Sequence, residues 1–360
     1  MTLRSGGPVR ISLSLLLASS LLAACSGGPA DTARLRTEAA DLLKKNQYSD
    51  AERILTQALA NDERRLGADH PTVALDLNAL GTSYRKQGKS KETLDTYERA
   101  VAIVEKSMTP QLLVLASSLD GLGNAYTGQG KYKDAEPVLE RALEIREDNL
   151  KQDDPAIAES LNSLARLYYA SGHFGEAEPL FKQSLAIYEK SLGPENPETA
   201  SVRNNLGALY YAQQKYALAE PLFTWALAVS EKTYGENSAD LANSLNNMAE
   251  LYRVEGKYSD AEPLFKRALA AYEKAYGENS ENVADCLNNM ALLYLGEGKL
   301  ADAEPLFKRS IAVYEKALGP DHPDMANALR NYADLLRRTK RNADAAELEA
   351  RAKSIAVLQP

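Results

Sequence analysis

Cysteine is nearly absent: of 360 residues only Cys25 and Cys286 carry a thiol, far apart, so no disulfide framework can staple the chain. Histidine is as scarce. His70, His173 and His322 are scattered, and no close Cys/His pair offers a zinc site. Five Phe and one Trp occur, against nineteen Tyr. Positive charge is in deficit, and the net −8 argues against nucleic acid as a partner. Long apolar runs are confined to residues 11–24, too short a stretch to span a bilayer as a mature helix. Apolar content is nevertheless 44%, ample for a core.

The first residues have the form of a processing signal and not of a fold. Arg4 and Arg10 make a positive n-region ahead of the apolar run, which ends Leu22-Ala23-Ala24-Cys25. That tetrapeptide resembles the lipobox of bacterial lipoproteins. The resemblance implies a signal peptide over 1–24, cleavage, and lipidation of Cys25 as the new N-terminus. In that family an Asp after the cysteine retains the protein in the inner membrane. Ser26 stands there, which implies an outer-membrane anchor with the body facing the periplasm. Loss of Arg4 and Arg10 takes the charge from −8 to −10. Residues 25–31 then form the lipidated Cys and a flexible tether.

The rest of the chain repeats itself. Steps of 42 from Ala51 land on Thr93, Ala135, Ala177, Ala219, Ala261, Ala303 and Ala345, so eight units follow without insertion or deletion. Two more small columns run in phase, one from Ala39 through Gly81 and Gly123 to Ala333, the other from Ala58 through Ala100 to Ala352. A bulky column holds Tyr84, Tyr126, Tyr168, Tyr210, Tyr252 and Tyr294 between Leu42 and Leu336. Within a unit, Leu287, Met290, Ala291 and Tyr294 share one helix face, and Ala303, Phe307, Ser310 and Tyr314 share another. Gly298-Lys299 is the turn between them, so each unit is a helical hairpin. The small columns let the two backbones approach and the Tyr column fills the gap beside them. Pro137, Pro179, Pro221, Pro263 and Pro305 are expected near the first turn of the second helix, where a missing N–H costs little.

This order of small, aromatic, Gly, Ala, aromatic and small positions resembles the tetratricopeptide repeat. The 42-residue unit, with Leu-Asn-Asn-Met-Ala, Ala-Glu-Pro-Leu-Phe-Lys-Arg and Leu-Gly-Pro-Asp-His-Pro-Asp, looks like the kinesin light chain subclass. The resemblance implies an all-α fold over residues 32–358, a right-handed α-solenoid of eight hairpins whose first helices line a concave groove. It does not imply a motor.

Several positions depart from the pattern. The last unit carries Glu347-Leu348-Glu349 where others have Pro-Leu-Phe, giving the polar face of a solenoid cap. Arg203 breaks a Leu column (Leu35, Leu77, Leu119, Leu161, Leu245, Leu287, Leu329). It is read as a guanidinium snorkelling to water, with a buried ion pair or a ligand contact as the alternative. Trp225 sits in a column of Gln and Arg, either covering a neighbouring helix or serving as a contact hot spot. Cys286 shares a column with Arg34, Asp76, Ser118 and Ser160, which suggests the edge of the core and some exposure of the thiol, but a lone Cys of this kind is read as a small hydrophobe. His70 and His322 are loop residues of the repeat, and His173 lies in a turn; none has a nucleophile or second ligand at motif spacing, so no catalysis and no metal or other cofactor is expected.

Function is expected in the groove. Opposite the core face of the first helix one column reads Thr37, Ala79, Gly121, Ser163, Asn205, Asn247, Asn289, Asn331. A primary amide donates and accepts together, so a row of four can hold an extended backbone without reading its sequence. It is similar to the asparagine ladders of long tetratricopeptide superhelices that bind extended peptides. The adjacent column (Asn78, Asp120, Asn162, Asn204, Asn246, Asn288) is expected to cap or bridge loops between units. Lys86 and Arg166 on the groove face, with Arg253 on its flank, point to a carboxylate-bearing, acidic protein or peptide partner. The expected role is a lipid-anchored scaffold in the bacterial cell envelope that binds an extended segment at Asn205, Asn247, Asn289, Asn331, Arg166 and Lys86. The alternative is an assembly factor acting through its convex face or ends. Sequence fixes no oligomeric state.

Overall fold

The computed structural model describes residues 28–357 apart from 46, 110 and 321. Cys25 and the signal-like segment lie outside the described residues. Sixteen helices follow one another among the described residues, without strands. First helices of the units are α1 (Pro29–Lys44), α3 (Pro71–Lys86), α5 (Leu112–Gly128), α7 (Pro155–Ala170), α9 (Pro197–Ala212), α11 (Ala239–Val254), α13 (Glu281–Glu297) and α15 (Pro323–Arg338). Second helices are α2 (Tyr48–Leu66), α4 (Ser90–Lys106), α6 (Tyr132–Asn149), α8 (Phe174–Ser191), α10 (Tyr216–Thr233), α12 (Tyr258–Tyr276), α14 (Leu300–Leu318) and α16 (Asn342–Val357). None of these helices is long and apolar enough to cross a membrane.

Every helix packs on its hairpin partner, on the next helix in the chain, and through the first helices on the neighbouring unit. That nearest-neighbour stacking is the physical definition of a solenoid, as the in-phase columns predict. All three small columns are buried from end to end. Beside them one bulky column fills the hairpins: Leu55, Tyr97, Leu139, Phe181, Phe223, Phe265 and Phe307, each 4% exposed or less. Burying one such ring contributes about 2–3 kcal/mol. In the eighth unit that position holds Glu349, which pairs with Arg337 at 2.7 Å, so charge stands where the other units place an apolar side chain.

The turns inside the hairpins require a left-handed residue. Gly88, Gly130, Gly172, Gly256 and Gly298 supply it with φ between +70° and +81°, while Gln214 and Lys340 adopt φ of 59° and 62° with a side chain attached. The Tyr column lies just ahead of these turns and is half-buried, except for the buried Tyr210. Its hydroxyls reach back to glutamates of the preceding unit, Tyr168 to Glu136 at 2.8 Å and Tyr210 to Glu178 at 3.0 Å. Lys215, Lys257 and Lys299 cover the rings of Tyr210, Tyr252 and Tyr294 at 5.7, 5.2 and 5.8 Å.

The recurring prolines are deeper than expected. Pro137 is the sixth residue of α6, inside the helix, so the carbonyl of Lys133 has no N–H four residues on. Both residues face solvent, where water takes the free carbonyl, and the helix continues through the proline.

Candidate peptide groove

The four ladder asparagines lie half-buried along the first helices, each fastened to the unit before it. Asn205 Nδ2 donates to Asn162 Oδ1 at 3.0 Å, Asn247 to Asn204 at 3.1 Å, Asn289 to Asn246 at 3.5 Å, and Asn331 to Asn288 at 3.0 Å. The adjacent column does bridge units, and the ladder is its partner. The ladder is therefore not independent of the fold, as its position opposite the core suggested. One N–H of each amide is spent on bracing, because 43 residues along this solenoid brings the two columns into register. The second N–H and the carbonyl of each ladder amide remain unengaged among the described residues.

The first half of the column is packed for other reasons. A Cβ on Gly121 would collide with the ring of Tyr97, and Ser163 is buried under the amide of Asn124, which donates to it at 2.9 Å. Glycine at 121 is thus a steric requirement of the tyrosine in the preceding unit.

The basic residues divide. Lys86 is not free: its Nζ lies 3.5 Å from Asp240 Oδ1, because the winding sets α3 opposite α11. Arg253 is held by Glu250 on its own helix, at 2.9 Å. Arg166 makes no ion pair among the described residues; its guanidinium is accessible and donates to Asn124 Oδ1 at 3.3 Å. Groove walls surround it, and that desolvation lowers its pKa to about 10, with repulsion from Arg85 adding to it. Arg85, not singled out in the sequence although its column also holds Arg253 and Arg337, is exposed in the same groove. Opposite stand Glu198 and Asp240. Burial raises the Glu198 carboxyl, Glu159 raises it further, and Lys86 draws it down. Tyr276, pushed up to about 12 by burial and by Asp240, completes this wall.

A cavity of about 360 Å³ opens where Arg85 and Asn124 face Tyr276, Asn279, Ser280 and Asn282. At the start of other first helices the equivalent residue caps the helix: His70 Nδ1 accepts from Thr72 N at 3.2 Å, Asp154 from Ala156 N, Asn196 from Glu198 N and Ser238 from Asp240 N. Ser280 does not cap α13, and its buried Oγ has no partner among the described residues. His173 precedes α8 and pairs with Ser171 Oγ at 2.8 Å. Two of the three histidines thus serve local turn and cap geometry.

Cys286 is buried as a small hydrophobe, and only the partial exposure its column suggested is corrected. Its column is buried, not marginal: Asp76, Ser118, Ser160, Val202, Ser244, Cys286 and Ala328 are each 4% exposed or less. Polar members are admitted because each is paired. Arg36 holds Asp76 at 2.6 Å, Ser118 donates to Asn78 at 2.8 Å, and Ser160 donates to Asp120 at 2.8 Å. Arg34 in unit one is exposed, and no described residue before α1 covers it. Burial pushes the Cys286 thiol up, and it contacts the carbonyl of Phe265 at 3.6 Å.

A family model described as "Tetratricopeptide repeat" matches residues 31–106, 114–190, 158–232, 240–316 and 287–356. No curated protein matches the sequence. Among solved structures, the chain is similar to a Rap protein complexed with Competence and Sporulation Factor, at 16% identity and a TM-score of 0.63 over 91% of this chain and 98% of that one. It is also similar to the Rap conjugation gene regulator of the plasmid pLS20 in complex with the Phr* peptide, at 17% identity and 0.63 over 87% and 79%. A Podosopora anserina protein, described as a kinesin light chain with nearly identical TPR-like repeats, aligns at 24% identity and 0.46 over 58% and 98%. At these identities the likeness is one of fold.

Proposed function

The chain belongs to the tetratricopeptide repeat family, and from that premise we propose that it is a non-catalytic, lipid-anchored envelope scaffold that holds an extended peptide or protein segment in its groove. One observation carries the reading. Among the described residues four amides, 42 residues apart in sequence, each keep an N–H and a carbonyl unengaged along the first helices, beside an arginine without a carboxylate partner. Paired donors and acceptors in a row suit a peptide backbone, and Arg166 with Arg85 suits an acidic side chain or terminus. The fold is compatible with this use, since the similar pLS20 regulator was solved in complex with the Phr* peptide. Anchoring rests on the Leu22-Ala23-Ala24-Cys25 sequence alone, with Ser26 favouring the outer membrane and a body in the periplasm.

Selection of a displayed peptide library against the protein, followed by titration of the selected peptides, tests the groove. Arg166→Gln should weaken acidic peptides about tenfold, the scale of one charge-assisted hydrogen bond. Equal affinity for both proteins would remove the groove assignment. Incorporation of a fatty-acid label into the wild type and not into Cys25→Ser tests the anchor. A second reading, an assembly factor acting through its convex face, is favoured by Trp225, which is 43% exposed beside Pro221 and Thr224. It predicts a partner lost on Trp225→Ala and kept on Arg166→Gln.

A further inference from the structure

The winding sets units one to three against units six and seven, and the seam between them is thin and polar. Its direct bond is Lys86 on α3 to Asp240 on α11, 3.5 Å long and 154 residues apart in sequence. Both side chains keep about a third of their surface, at 29% and 33%. Arg85 and Asp240 both act on the hydroxyl of Tyr276 and on that of Tyr48 on α2. Among the described residues Tyr48 also lies near Tyr234 and Tyr276 of the facing units, and two cavities open along the seam. One cavity separates Arg85 and Asn124 from Tyr276 and Asn282; a second, of about 300 Å³, separates Lys45 from Glu236 and Lys274. The apolar clusters run along the solenoid and stop short of the seam among the described residues: those of α1 to α6 and those of α11 to α16 share no member.

The charged part of this closure is weak, because a half-exposed ion pair of this length contributes little and is screened by salt. Lysine is a point charge on a flexible stem, so it exchanges one carboxylate for another without a geometric demand. Lys86 also lies on the groove face, beside the column leading to Arg166. We propose that the Lys86–Asp240 pair is a latch that holds the superhelix closed, and that a ligand carboxylate entering the groove takes Asp240's place on Lys86 and loosens the seam. The second half of this proposal rests on the peptide-groove reading; the first half does not.

Small-angle scattering on the full chain, with circular dichroism as the control for folding, measures the latch. The radius of gyration should rise from low to molar salt. Lys86→Glu and Asp240→Lys should each show the expanded value at low salt, and the doubly exchanged protein should be compact again. Single variants as compact as the wild type, or a wild type indifferent to salt, would overturn the latch. An octaglutamate peptide, with octaglutamine as its neutral counterpart, measures the exchange. It should expand the wild type and bind Asp240→Asn about threefold to fivefold tighter, because Lys86 is then free. Equal binding to both proteins overturns the exchange. Charge-dependent expansion with no binding of either peptide withdraws the peptide groove and leaves the latch standing.

Discussion

The guanidinium of Arg203 lies 4.6 Å from the ring centre of Trp225, and both side chains donate to one acceptor, the carbonyl of Pro194, at 3.2 Å each. The two residues that break their columns are therefore one feature. Elsewhere an arginine in the Trp225 column bridges to a glutamate 36 residues earlier: Arg99 to Glu63, Arg141 to Glu105, Arg267 to Glu231, Arg309 to Glu273. The corresponding Glu189 is taken by Arg203 instead, at 2.6 Å. Trp225 keeps the bond to the loop carbonyl that Arg99 makes to Ala68 and Arg351 makes to Pro320. The positive charge has moved from the second helix to the first, and an indole covers it.

This exchange predicts strong coupling. Trp225→Arg alone sets two guanidinium groups against one Glu189 and should cost about 1–2 kcal/mol. Arg203→Leu with Trp225→Arg restores the pattern of the other units and should recover most of that loss. A double-mutant cycle by denaturant unfolding should give a coupling of about 1 kcal/mol or more. Additive effects would show that the contact is incidental.

The second prediction concerns Gly121 and Tyr97. Gly121→Ala forces the tyrosine ring to shift within a packed hairpin and should destabilise by about 1–3 kcal/mol. Tyr97→Leu places there the residue that units one and three carry, Leu55 and Leu139, and should make Gly121→Ala nearly neutral. A calorimetric Tm series over the two single variants and the double variant decides it.

These two cases show what the sequence carried. Hairpins, unit length and the buried small columns were legible because a 42-residue period repeats each contact eight times. Glycine at 121 looked like tolerance for a small residue, since nothing local says that a tyrosine 24 positions earlier fills its space. Cys286 looked marginal because Asp76 and Ser160 share its column, and their partners Arg36 and Asp120 lie in other columns and other units. Lys86 looked free because Asp240 is 154 residues away. Periodicity reveals contacts between neighbours; it is silent on pairs that occur once and on contacts made by superhelical winding.

The third prediction is a pH dependence. Asp120 and Arg146 are buried together at 2.6 Å, with Ser160 donating to the same carboxyl and Asp120 Oδ1 left without a partner. Burial outweighs the pull of Arg146 and, with Glu159 adding to it, raises the Asp120 carboxyl from 3.8 to about 7. A raised carboxyl favours the folded state while it is neutral. That stabilisation is full below the ordinary value and is lost as pH rises through about 7. Unfolding free energy should therefore fall by an amount on the order of 2–4 kcal/mol between about pH 4 and pH 8. Asp120→Asn should flatten this part of the profile. An unchanged slope in the variant would assign it elsewhere.

The fourth prediction separates the two duties of the asparagine ladder. Each brace joins a ladder amide to an adjacent-column amide, so removing either partner breaks the same hydrogen bond. Each break should cost about 0.5–1.5 kcal/mol. Asn289, whose brace is longest at 3.5 Å, should cost least. The two sides differ toward a ligand, because only the ladder amides are assigned to the peptide. Asn204→Ala with Asn246→Ala and Asn288→Ala should lower Tm while changing peptide affinity less than about threefold, the effect of slightly looser register. Asn247→Ala with Asn289→Ala and Asn331→Ala breaks the same three braces and should lower Tm by a similar amount. It should also weaken binding by about tenfold or more, since three peptide contacts go with it. Equal affinity losses on the two sides would mean that the amides act on the ligand only by holding the units in register. Equal Tm losses with no affinity loss on either side would confine the ladder to bracing and move the docking surface to Arg85 and Arg166 alone.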